Sequence, residues 1–266
     1  MKVRTVLSNL LIVGEWMPIT IFLTKNGKLI NGTDQFFESD LNGFWSSVLV
    51  EDLNKDGKQD IIAGNIGENF KWKASEETPV KMYLDDFDNN KQLDQLIFYT
   101  YFGTYVPFAS KDKLVQQLPI LKKKFLNYTA FSKVNTIVDL TQREEKSILE
   151  TKYLYELRSM LYINKGKSFT PQALPKETQL STIEDFYIED DKILYTGNYE
   201  GFVTELGKST SNSGGLLLHS NDTLIEKSSL KLPKDFYGRK IVKLKENNYL
   251  ILSNNGKSYI VTTKDL

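Results

Sequence analysis

Asp52, Asn54, Asp56 and Asp60 place oxygen-bearing side chains at positions 1, 3, 5 and 9 of one short segment, with Gly57 at position 6 and Lys58 at position 7. Asp86, Asp88, Asn90 and Asp94 repeat that spacing 34 residues later, with Lys91 and Gln92 at positions 6 and 7. Hard oxygen donors so spaced wrap around a point and suit Ca2+, which takes about six to eight oxygens and uses a main-chain carbonyl at position 7. The predicted ligands are therefore Asp52, Asn54, Asp56, the Lys58 carbonyl and Asp60 in one loop. In the other they are Asp86, Asp88, Asn90, the Gln92 carbonyl and Asp94. Glycine at position 6 permits a sharp turn. Lys91 at the same place predicts a more strained and weaker second site. The alternative is a pair of Asx-rich turns that hold no metal.

An EF-hand begins similarly but requires Glu at position 12 and flanking helices. Position 12 is Ala63 in the first loop and Ile97 in the second, and strand-like runs flank the first loop at 48–50 and 61–62. Other chemistry finds little support. The chain has no cysteine, which excludes disulfides, thiolate nucleophiles and zinc-thiolate sites. Its one histidine, His219, reads as an ordinary packing or surface residue. Gly-Lys-Ser occurs at Gly166, Gly207 and Gly256, but a P-loop needs a further glycine five residues earlier, where Leu161, Phe202 and Ile251 stand. Asn164-Lys165-Gly166 and Asn254-Asn255-Gly256 read instead as hairpin turns.

Short strands must hold these loops. Apolar runs bounded by Gly, Asn and Asp recur at 10–13, 19–23, 47–50, 60–63, 80–84 and 96–100, and again from 161 to 261, a pattern that predicts a sandwich, barrel or propeller. The segment 110–150 differs: Leu114, Leu118, Leu121 and Phe125 recur at helical spacing, Ser110 stands where an N-cap would, and Pro119 should interrupt the helix. It reads as a helical insertion, with Lys122, Lys123 and Lys124 on a solvated helix end.

Composition narrows the partners. Lys+Arg and Asp+Glu are both 34, so the net charge of zero gives no global attraction for nucleic acid. No apolar stretch reaches the roughly 18 residues of a membrane span. Lys2 and Arg4 ahead of an apolar run mimic a secretory signal, but Ser8 and Asn9 interrupt the run and no small-residue cleavage site follows, so no signal peptide is read here.

The two loops, each with a preceding strand and a following apolar pair, resemble FG-GAP/VCBS repeats of the integrin α-like β-propeller type. Gly14-Glu15-Trp16-Met17-Pro18, Phe44-Trp45, Ala63-Gly64-Asn65-Ile66-Gly67, Lys73-Ala74-Ser75 and Pro107-Phe108-Ala109-Ser110 look like bacterial VCBS-repeat proteins associated with ASPIC/UnbV modules. So do Gln117-Leu118-Pro119 and the run at 122–125, and the likeness extends over roughly residues 10–220. It implies a mainly β fold: one partial or small β-propeller over 1–266 with the helical insertion at 110–150, an N-terminally truncated member of its family. It also implies Ca2+ on Asp52, Asn54, Asp56 and Asp60 and on Asp86, Asp88, Asn90 and Asp94, and extracytoplasmic residence.

The expected function is a non-catalytic calcium-binding module that contacts a protein or glycan, with open sheet edges inviting self-association. Trp16, Trp45 and Trp72 could stack on a sugar, but packing is the simpler role for each. A polysaccharide hydrolase using two carboxyls about 5 to 9.5 Å apart is the alternative.

Overall fold

A computed structural model describes residues 2–6, 9–38, 41–220, 222–254 and 256–264. Ser8, expected to interrupt the apolar start, and Asn255, expected in the last hairpin turn, lie outside the described residues. The chain forms two compact units, one of residues 1–71 and 156–266 and one of residues 72–155. The helices expected at 110–150 belong to the second unit, which also contains a sheet of its own.

Among the described residues of the first unit, four antiparallel sheets of three or four strands follow one another along the chain, with one further two-stranded sheet. The first contains β1 (Lys2–Val6), β2 (Asn9–Val13), β4 (Thr20–Lys25) and β5 (Lys28–Asn31), while the short β3 (Glu15–Met17) pairs with β6 (Gly43–Phe44). The second has β7 (Ser47–Glu51), β8 (Asp60–Gly64), β13 (Met160–Asn164) and β14 (Phe169–Ala173). The third is built from β15 (Ile183–Glu189), β16 (Lys192–Gly197), β17 (Gly215–Ser220) and β18 (Thr223–Ser229). The fourth has three strands, β19 (Gly238–Lys245), β20 (Asn248–Ser253) and β21 (Tyr259–Thr262).

The period of two explains how these sheets stack. Successive side chains of a strand face opposite sides, so a strand buried on both faces reads as a continuous apolar run. β8 is such a strand. Ile61 joins Leu11, Val13 and Ile21 of the first sheet, whereas Ile62 joins Ile183, Phe186 and Ile193 of the third. Leu194 and Leu216, on the other face of the third sheet, meet Ile241, Tyr249 and Ile251 of the fourth. The first strands of consecutive sheets also run side by side, β1 by β7, β7 by β15 and β15 by β19. That is a propeller-like arrangement of blades. Among the described strands, no pairing joins the fourth sheet to the first.

Charge is buried where β15 meets β19, and it is matched there. Lys240 Nζ and the Ile241 N–H donate to the two oxygens of Asp185, each at 2.8 Å, and Arg239 pairs with Glu184 at 2.6 Å. Buried carboxylates are tolerated when hydrogen bonds and a countercharge replace water.

The second unit enters the chain between β8 and β13. Its sheet contains β9 (Val80–Asp85), β10 (Asp94–Tyr101), β11 (Thr104–Pro107) and β12 (Glu150–Leu154), with β12 beside β9. Four short helices follow β11: α1 (Lys111–Gln117), α2 (Leu121–Lys124), α3 (Tyr128–Phe131) and α4 (Ile137–Thr141). Ser110 caps α1, and α1 ends two residues before Pro119. Leu114, Leu118, Leu121 and Phe125 bury against Tyr83, Leu96 and Phe98 of the sheet. Among the described residues, no helix is long and apolar enough to cross a membrane.

Candidate metal centre

Both Asp/Asn-rich loops join two neighbouring antiparallel strands, the first β7 to β8 and the second β9 to β10. Their main-chain bonds match one for one. In the first, the Asp56 N–H donates to Asp52 Oδ1 at 3.0 Å and to Asn54 Oδ1 at 3.1 Å. The Gly57 N–H donates to Asp52 Oδ2 at 2.9 Å and the Lys58 N–H to Asp56 Oδ1 at 2.9 Å. In the second, the Asn90 N–H donates to Asp86 Oδ1 at 2.9 Å and Asp88 Oδ1 at 3.2 Å, the Lys91 N–H to Asp86 Oδ2 at 2.8 Å, and the Gln92 N–H to Asn90 Oδ1 at 2.7 Å.

The main chain explains this match. Positions 4 and 6 of each loop are left-handed, with φ of 59° at Lys55 and 85° at Gly57, and 61° at Asn89 and 70° at Lys91. Those values curl the loop so that consecutive N–H groups turn inward onto the side chains at positions 1, 3 and 5. Lys91 adopts the conformation that Gly57 adopts, at the cost that a Cβ brings to it.

Position 9 closes each loop from the following strand. Asp60 is buried and accepts from the Leu53 N–H at 3.1 Å and the Asn164 N–H at 2.8 Å. Burial raises its pKa above the usual carboxylate value, and the neighbouring charges of Asp56 and Asp52 push it the same way against those two donors. Lys58 holds Asp56 lower by bonding its carboxylate at 2.9 Å. In the second loop, Asp94 Oδ1 accepts from Gln117 Nε2 at 3.1 Å, while its Oδ2 is buried with no hydrogen-bond partner. A buried carboxylate oxygen without a partner fits a cation in this loop.

Among the described residues, no three His, Cys, Asp or Glu side chains gather into a ready-made metal cluster. Each predicted donor set contains three aspartates, Asp52, Asp56 and Asp60 or Asp86, Asp88 and Asp94, and those carboxylates do not stand together as a preformed cluster. Each set also includes an amide oxygen, from Asn54 or Asn90, and a main-chain carbonyl, from Lys58 or Gln92. Such mixed oxygen donors suit a hard cation.

Residues outside the loops brace them. Asn54 Nδ2 donates to Asp222 Oδ1 at 3.0 Å, and Lys165 Nζ bonds Asp222 Oδ2 at 2.8 Å. These two bonds lower the Asp222 pKa, the Lys165 bond more strongly. Asn164 Nδ2 holds the Gln59 carbonyl at 3.0 Å. In the second loop Arg143 donates to the Asp86 carbonyl at 2.7 Å, to Asn89 Oδ1 at 3.2 Å and to Asp85 Oδ2 at 3.0 Å. Asp222 and Arg143 are far from the loops in sequence, and no spacing marks them. The Asn164-Lys165-Gly166 turn is legible in the sequence, and the Gly166 N–H does bond Asn164 Oδ1 at 2.8 Å.

The model of the FG-GAP repeat matches residues 44–73, from β6 through the first loop and β8 to the segment beyond it. The chain carries an FG-GAP repeat. Neither a curated protein nor a solved structure matches the chain. Within the FG-GAP repeat the chain makes a tight crossing at Gly67, whose φ is 82° and where an added Cβ would collide with the Gln179 carbonyl. Asn65, just before it, is fully buried and donates from Nδ2 to the Glu156 carbonyl at 2.9 Å. Two tryptophans of this repeat are packing residues. Trp45 is buried in the core shared by the first two sheets, and Trp72 is buried with its ring edge-on to Phe108.

Proposed function

We propose that this FG-GAP repeat protein is a calcium-binding, non-catalytic module whose first unit is a partial β-propeller. In this reading Ca2+ would be held by Asp52, Asn54, Asp56, the Lys58 carbonyl and Asp60, and by Asp86, Asp88, Asn90, the Gln92 carbonyl and Asp94. The observation that carries it is the matching set of main-chain hydrogen bonds in two loops that share little but their oxygen positions, together with the unpartnered Asp94 Oδ2. Bound Ca2+ would neutralise the carboxylates and lock each loop between its strands, a structural role.

Extracytoplasmic residence fits this reading, since millimolar external calcium fills modest sites. The outer strands of the first unit expose large apolar side chains, among them Leu29, Ile225 and Ile260. Such edges would support self-association or contact with a protein or glycan partner. Thermal unfolding in Ca2+ against a chelator tests the metal role. A ligand that binds the folded state raises the midpoint, and an unchanged midpoint would sink the reading.

A further inference from the structure

Beside the first loop lies a cleft of about 300 Å³ between the first and second sheets. Ile21 of the first sheet lines one side, and Val50 and Ile61 of the second line the other. Asn9, Lys58, Gln59 and Asn164 supply the polar part of its lining. A mostly apolar lining with a few polar groups has the character and the lower-limit size of a small-molecule pocket, about 300 Å³.

Positions 6 to 8 of the predicted calcium loop are part of the cleft wall. Lys58 connects the two directly. Its stem passes Gly166, where a Cβ would stand 3.6 Å from Lys58 Cε, and its ammonium is bonded to Asp56 Oδ2 at 2.9 Å. Asp56 is also a predicted calcium ligand. A divalent cation in the loop would compete with Lys58 for that carboxylate and leave the ammonium available at the cleft mouth. It would also cancel negative charge of Asp52, Asp56 and Asp60, which otherwise repels an anion there. Lys165, next to Asn164 in the chain, is itself paired with Asp222.

Resting on the calcium reading above, we propose that this cleft binds an anionic amphiphile, an aryl or acyl group with one acidic head, and does so in a calcium-dependent way. The apolar group occupies the space between Ile21 and Val50, and the head meets Lys58. Linkage makes the effect reciprocal: the amphiphile tightens calcium at the first loop by the same factor as calcium tightens the amphiphile.

The test titrates the full chain with 1-anilinonaphthalene-8-sulfonate, read by fluorescence, in chelator and in saturating Ca2+ at matched ionic strength. Calorimetry reports calcium binding on the same samples. Calcium is expected to lower the Kd at least about fivefold, the small end of ordinary coupling. Lys58→Met keeps the apolar stem and the position 7 carbonyl, and should abolish that gain. Val50→Phe fills the cleft and should weaken the dye in both conditions. Equal dye affinity with and without Ca2+, when calorimetry records calcium at the first loop, overturns this inference alone. A retained gain in Lys58→Met, or full affinity in Val50→Phe, overturns it too. No calcium binding at all overturns both it and the reading beneath it.

Discussion

The Asn54 side-chain amide donates to Asp222 Oδ1 at 3.0 Å, joining the first loop to the β17–β18 turn across 168 residues of chain. That bond fixes which end of the amide faces the loop: with Nδ2 held by Asp222, Oδ1 is left for the Asp56 N–H and for a cation. If the first loop holds calcium as proposed, Asp222 is a positioning residue that acts on the site through Asn54. Removing the partner that orients a metal ligand commonly costs about tenfold or more in affinity. Asp222→Ala should therefore weaken calcium at the first loop by about that factor and leave the second loop's affinity unchanged. Calorimetry on the variant reads both, and equal weakening at the two loops would point to general misfolding instead.

Gly57 and Lys91 occupy the same left-handed position of their loops, at φ of 85° and 70°. An added Cβ at Gly57 meets nothing within 4 Å, so the cost of Gly57→Ala is one of backbone conformation. It should destabilise the protein by about 1 kcal/mol, and Lys91→Gly should relieve strain of similar size in the second loop. Urea denaturation of both variants should give opposite signs; two shifts of the same sign would contradict the equivalence of the positions.

Glu226 on β18 accepts from the Tyr195 hydroxyl at 3.2 Å on each oxygen, and burial lifts its pKa to about 7, with the Glu177 charge adding to the rise against the Tyr195 bond. The folded state therefore holds this proton more tightly than the unfolded state, whose carboxyl titrates near its ordinary value of 4.5. The stabilising contribution is fully present below the unfolded value and is lost as pH rises through about 7. The thermal midpoint should fall across this window, and Glu226→Gln should flatten the fall. Parallel profiles for variant and parent would remove Glu226 as its source.

Much of the architecture is legible in the sequence because the inner strands are strongly apolar. Pairs such as Ile61 with Ile62 and Leu216 with Leu217 face two cores at once and announce themselves. The strands without such a signal are those whose sequence follows other demands. β14 contains Pro171 and β5 is exposed along its length, as outer strands are allowed to be. β15 carries Glu184 and Asp185 where apolar residues would be expected, and only Arg239 and Lys240, more than fifty residues on, make their burial intelligible. The proposed loop ligands are readable from spacing alone, since positions 1 to 9 are local. Asp222 and Arg143 are not, because a brace is defined by three-dimensional proximity and leaves no periodic trace.

Calcium binding by two independent loops is tested most directly by isothermal titration of the full chain with Ca2+, alongside a variant in which Asp52 and Asp56 are both replaced by Ala. Two binding events are expected in the parent and one in the variant, with the surviving event unchanged in affinity. A parent that takes up no calcium, or a variant that titrates like the parent, would contradict the proposed sites.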